Sequence, residues 1–92
     1  MSIQLKPQHQ DSVLGRMIET KNMIKYYESV VIPEINELKE WEQKEYWSNY
    51  RDYQKQFEDY KQYIKEKEPA FNLLLCQYNL SVATFVYTLN HC

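Results

Sequence analysis

With 92 residues and a formal net charge of −2, the chain has room for one domain and no charge excess with which to attract nucleic acid at long range. One glycine and three prolines argue against a turn-rich all-β fold, and an aromatic content of 15% argues against low-complexity disorder. The lone Gly15 also excludes a glycine-rich phosphate loop.

Residues 1–10 are polar, include Pro7 and show no periodicity, which predicts an extended N-terminal arm ahead of a single helical domain over 11–92. This start has no apolar run of the kind that forms a signal peptide, so the expected location is the cytoplasm, or the host cytoplasm for a viral protein. Asp11 or Ser12 is placed to cap a first helix near 12–31. Val13, Met17, Thr20, Ile24, Tyr27 and Val31 recur at spacings of four and three, with Leu14, Ile18 and Val30 widening the stripe into one suited to a bundle. Pro33 disfavours helical geometry in the residue before it and is well suited to open a new helix, with Glu34 and Glu37 at the positive end of its dipole. The expected second helix therefore spans 33–68 and is about 50 Å long. A kink at Pro33 within one continuous helix is the alternative.

From Gln43 to Lys67 the chain repeats in sevens. Gln43, Tyr50, Phe57 and Ile64 occupy one column, and Tyr46, Tyr53, Tyr60 and Lys67 another, which together form one seam along a helix. Glu45, Asp52, Asp59 and Glu66 form an acidic column beside Lys44, Arg51 and Lys65, as in a solvated face with ion pairs along the helix. Residues 34–45 are locally acidic. Pro69 then starts a third helix, near 70–90, or kinks the second. No Asp, Glu, Lys or Arg follows Pro69. Most of this stretch is apolar, so it is expected to be buried in the chain's own core or in an oligomer, while Asn72, Gln77, Asn79 and Asn90 argue against lipid. The residues expected to pack there are Phe71, Leu74, Leu75, Tyr78, Val82, Phe85 and Leu89.

Catalytic chemistry finds little material. Cys76, Cys92, His9 and His91 lack metal-ligand spacing, and Cys76 reads as a small core hydrophobe among leucines. The carboxylates lie on a solvated stripe, not in a desolvated pocket. No cofactor is expected, and the chain reads as a non-enzyme. The aromatic seam is the strongest candidate for function. Tyr46, Trp47, Tyr50, Tyr53, Phe57, Tyr60 and Tyr63 are expected either to bind a protein or to line the bundle's own edge. Tyrosine fills coiled-coil holes poorly, which makes a simple two-stranded zipper a poor fit. Interleaved Arg51, Lys55, Lys61 and Lys65 raise single-stranded nucleic-acid binding as a further reading, opposed by the acidic column two positions away.

Trp47-Ser48-Asn49 is the nearest match to the turn of the small secreted helical hairpins built on a Trp-x-Gly motif. Here the glycine is missing and the heptads run straight through, so no family is assigned. The sequence thus predicts an all-α protein, an elongated three-helix bundle or helical hairpin. Its expected role is protein–protein interaction, with a small phage- or virus-encoded inhibitor of a host protein as one form. A structural subunit of a self-assembling helical complex is the alternative, which leaves the partner as a second copy or another protein, with nucleic acid and membrane disfavoured.

Overall fold

The computed structural model describes residues 9–91 and is all-α among them. Four α-helices are present: α1 over His9–Tyr26, α2 over Glu40–Glu66, α3 over Glu68–Cys76 and α4 over Val82–Asn90. A π turn (Tyr27–Val31) and a 3-10 stretch (Ile32–Glu37) continue α1. Residues 1–8 of the expected arm lie outside the described residues, as does Cys92. Helix is already present at His9, so Asp11 and Ser12 lie inside α1 and do not cap it. Once a helix is nucleated, each added residue costs little, so it can extend past its apolar stripe.

The expected boundary at Pro33 is wrong by about a turn and a half, for a local reason. Proline lacks an N–H, and in a regular α-helix its ring would strike the carbonyl four residues back. Here the turn before it widens, and the Ile32 N–H reaches the Tyr27 carbonyl in a π hydrogen bond. The Ser29 hydroxyl donates to the Lys25 carbonyl at 2.7 Å, a bond that bends helices. The chain then stays helical through Pro33 and breaks only at Leu38, whose ψ is 161°. The next helix can start there because its first turn is well partnered. Glu42 accepts from the Lys39 N–H at 3.4 Å, and the Gln43 amide donates to the Leu38 carbonyl at 2.9 Å. With its 27 residues, α2 is about 40 Å long, which accounts for most of the molecule's 47 Å long axis.

α1 and α2 form an antiparallel hairpin. Tyr27 meets Tyr50 near the turn, and Val13 lies beside Tyr60 and Tyr63 at the far end. Of the expected stripe, Val13, Met17, Thr20, Ile24 and Tyr27 are buried with Leu14 beside them, Ile18 and Val31 are half-buried, and Val30 is exposed because the π turn rotates it outward. On α2, Phe57 and Ile64 enter the core, and Tyr50, Tyr53, Tyr60 and Tyr63 pack against it. The acidic column of Glu45, Asp52, Asp59 and Glu66 is exposed.

The expected third helix is two helices. Pro69 does open α3, as its second residue, where the missing N–H is not needed. The break at 77–81 comes from Asn79, which adopts a left-handed φ of 58°. Asn enters this region at lower cost than most residues. Around it the Leu80 N–H bonds to the Leu75 carbonyl and the Asn79 N–H to the Cys76 carbonyl, the pairing of a Schellman motif. Ser81 then caps α4, accepting from the Thr84 N–H at 3.2 Å, and the Asn72 side chain accepts from the Val82 N–H at 2.7 Å. Two of the asparagines that argued against lipid, Asn72 and Asn79, thus build a turn. The turn folds α4 back along α2 and seats Val82, Phe85 and Leu89 in the core with Phe71 and Leu75. No described helix is long and apolar enough to cross a membrane.

Candidate functional site

The tyrosine seam is first of all an intramolecular contact. Tyr27, at the end of α1, is buried and forms the hub. Tyr50 stacks on it at 6.2 Å between ring centroids, while Tyr46 and Tyr53 meet it edge-on at 5.9 and 5.7 Å. Tyr26 and Trp47 extend the network outward, Tyr26 against Tyr27 at 6.1 Å and Trp47 against Tyr50 at 6.0 Å. Offset and edge-on geometries suit the ring quadrupoles, and each such pair adds about 0.5–1.5 kcal/mol beyond simple burial.

The residues expected to bind a partner therefore separate. Phe57 is buried, with the Lys21 and Lys61 ammonium groups 5.3 and 5.2 Å from its ring centroid, and is a core residue. Tyr53 and Tyr60 are half-buried against the core, as is Tyr63, whose ring meets Phe71 at 5.9 Å. Tyr46 and Tyr50 are half-buried at the hub, and Trp47 is the exposed member of the set. Of the residues expected to pack near the C-terminus, Phe71, Leu75, Val82, Phe85 and Leu89 are buried, whereas Leu74 and Tyr78 are only half-buried. Cys76 is not a core residue but an exposed free thiol. Phe71 and Leu75 take the inward face of α3 at a spacing of four, which turns Leu73 and Cys76 outward.

The hub also has a polar side. The Tyr50 hydroxyl donates to a Glu28 carboxylate oxygen at 2.7 Å. Burial, together with this bond to a carboxylate, pushes the Tyr50 phenol up to about 12. Tyr27 is raised as well, by burial, against the opposing effect of a hydrogen bond with Asn49. A phenol raised above its unfolded value holds its proton in the folded state after the unfolded chain has released it. Stability is then unaffected by this group below about pH 10 and falls as pH rises toward about 12. Alkaline melts of wild type and Tyr50→Phe should show the smaller loss across that window in the variant, and phenolate absorbance should lose its latest-titrating step. Equal losses in both proteins would show that the Tyr50 phenol is not raised by its burial and its bond to Glu28.

Above the hub, at the closed end of the hairpin, Val30, Val31, Leu38 and Tyr46 line a cleft of about 180 Å³ together with Glu34 and Glu37. Tyr26, Val30, Trp41 and Trp47 expose large apolar surfaces at the same end, at 50%, 47%, 62% and 38%. Sequence reasoning did not find this cleft, because the misplaced boundary put Glu34 and Glu37 at the start of a helix when they lie at the end of one. The missed cue was the pair Glu42 and Gln43, whose side chains can partner the start of a helix at Glu40. The hairpin turns at Leu38–Lys39 and not at Trp47-Ser48-Asn49, through which α2 runs unbroken. No protein-family model, curated protein or solved structure matches this chain, so its own surface is what informs its function.

Proposed function

We propose that the chain is a non-catalytic protein–protein interaction module acting in the cytoplasm, with the closed end of the α1–α2 hairpin as its docking surface. The observation that carries this reading is the exposure of Tyr26, Val30, Trp41 and Trp47, all within the segments that flank the Leu38–Lys39 turn. Tyr and Trp are the residues that dominate binding hot spots, and large apolar surface left in water on both sides of one turn marks an interaction site. Among small proteins of this kind, a phage- or virus-encoded inhibitor that occludes a host protein is the form we favour. A single-stranded nucleic-acid reading has less support, because most seam rings lie against α1 or the core while the acidic column faces outward.

The test uses the full chain as bait in a pull-down from source or host lysate. Tyr26→Ala with Trp41→Ala should leave the chain folded, at a cost of about 0.5–1.5 kcal/mol for the Tyr26–Tyr27 ring pair and about 0.5 kcal/mol or less at exposed Trp41. The same variant should weaken binding to the captured partner about tenfold or more. Unchanged affinity, or a wild-type chain that captures nothing, would overturn the reading.

One observation favours the alternative of a self-assembling structural subunit. The stretch after Pro69 carries no Asp, Glu, Lys or Arg, yet Leu73 and Tyr87 are 80% and 65% exposed on it. Charge depletion is the mark of an interface core. Light scattering over a range of concentrations, for wild type and Leu73→Lys, separates the two readings: a mass that grows with concentration only in wild type favours assembly.

A further inference from the structure

The end of the first helical run is built against its own electrostatics. This run begins at His9 and ends at Glu37, where its final carbonyls form the negative end of the helix dipole. Lys or Arg is the stabilising choice there, yet the last turn holds no basic residue and carries Glu37, one turn after Glu34. Neither carboxylate has an ion pair or a side-chain hydrogen bond among the described residues. Across the turn, Lys44 lies 3.8 Å from Glu40 and pairs there.

The same two carboxylates line an apolar cleft floored by Val30, Val31, Leu38 and Tyr46. Its volume of about 180 Å³ lies below the roughly 300–1,000 Å³ of small-molecule sites, so it suits a side chain of a larger partner. The cleft forms where the π turn and the 3-10 stretch depart from α geometry, and π turns are concentrated at functional segments. An occupant that is apolar alone would bury Glu34 and Glu37 unpaired, at a cost that an adjacent cation removes.

Resting on the interaction reading above, we propose that this cleft docks a basic amphipathic segment of the partner protein. An aliphatic side chain of the segment sits on Val30, Val31, Leu38 and Tyr46, and a lysine or arginine of the same segment pairs with Glu34 and Glu37. The charge of the surroundings supports this choice of occupant, since residues 34–45 hold five glutamates against two lysines.

The test uses the full-length protein and a synthetic helical peptide of repeating Leu-Lys-Lys-Leu, with binding read by fluorescence anisotropy. Wild type should bind it, and Glu34→Gln with Glu37→Gln should weaken binding about tenfold or more, as for the loss of charge-assisted hydrogen bonds. Asp52→Asn with Asp59→Asn makes the same change in charge on the outer face of α2 and should alter binding by less than about twofold. Peptides with Ser in place of Leu, or Glu in place of Lys, should bind much more weakly. Both pairs of carboxylates are exposed, so all variants should keep the wild-type circular dichroism. The proposal is overturned if wild type does not bind the peptide, if the Glu34/Glu37 variant binds as well as wild type, if the Asp52/Asp59 variant loses as much, or if the Ser peptide binds equally. Its failure is distinct from failure of the interaction reading: a natural partner lost with Tyr26 and Trp41 but kept by the Glu34/Glu37 variant would leave the docking surface standing and remove only this occupant.

Discussion

Replacing Tyr50, Tyr53 and Tyr60 together by alanine is expected to remove most of the protein's stability. All three rings pack against the core from α2, and Tyr50 and Tyr53 also hold the buried Tyr27 between them. Truncating a half-buried aromatic of this kind costs about 1–3 kcal/mol in lost burial and ring contact. A domain of this size has about 5–14 kcal/mol in total, so three such losses consume most of it. Thermal melts followed by circular dichroism should show the triple variant unfolded or melting tens of degrees lower, with Tyr87→Ala, a change at an exposed ring, close to wild type. If the triple variant melted with wild type, the seam would be dispensable to the fold and free to serve a partner. This experiment asks of the seam the question that its heptads raise and cannot answer.

The second large effect is expected at Phe71. It is fully buried, meets the ring of Tyr63 and belongs to the same core as Phe85 and Leu89, so it joins α3 to the rest of the molecule. Phe71→Ala should cost about 3–5 kcal/mol, the transfer free energy of the ring plus the cavity it leaves. Leu73→Ala, two residues along the same helix, should cost about 0.5 kcal/mol or less because that side chain is already in water. Denaturant titrations of the two variants measure the contrast directly. Equal losses would mean that α3 packs with a different face inward, which would move Cys76 into the core and Leu75 out of it.

The same two helices show where sequence reasoning loses resolution. In α3 and α4 the apolar residues are so dense that periodicity does not select one face. Cys76 reads as buried from its neighbours, yet it is exposed because Phe71 and Leu75 take the inward positions. The turn between these helices was nevertheless written into the chain, in Asn79 as a left-handed residue and in Ser81 as a cap. From sequence, Asn79 counts only as a polar side chain in an apolar stretch, and Ser81 is not singled out. At Pro33 the difficulty was of another kind. A local rule about proline competed with a local distortion that relieves it, and the chain could bend through the proline because Leu38, Glu42 and Gln43 offered a better place to stop.

By itself the sequence determined the all-α class, most of the inward stripe of α1, the existence of a one-sided seam on α2 and a change in the helix at Pro69. These follow from spacing along one helix and from the missing N–H of proline, properties carried by residues a few positions apart. The tertiary structure alone decided what covers the seam, which surfaces stay in water and that an acidic, apolar cleft exists. Those depend on which distant segments meet: Tyr27 with Tyr50, and Val30 with Tyr46 across the hairpin turn. A seven-residue repeat states that a face will be covered, but the identity of the cover is set by the packing free energy of the whole chain.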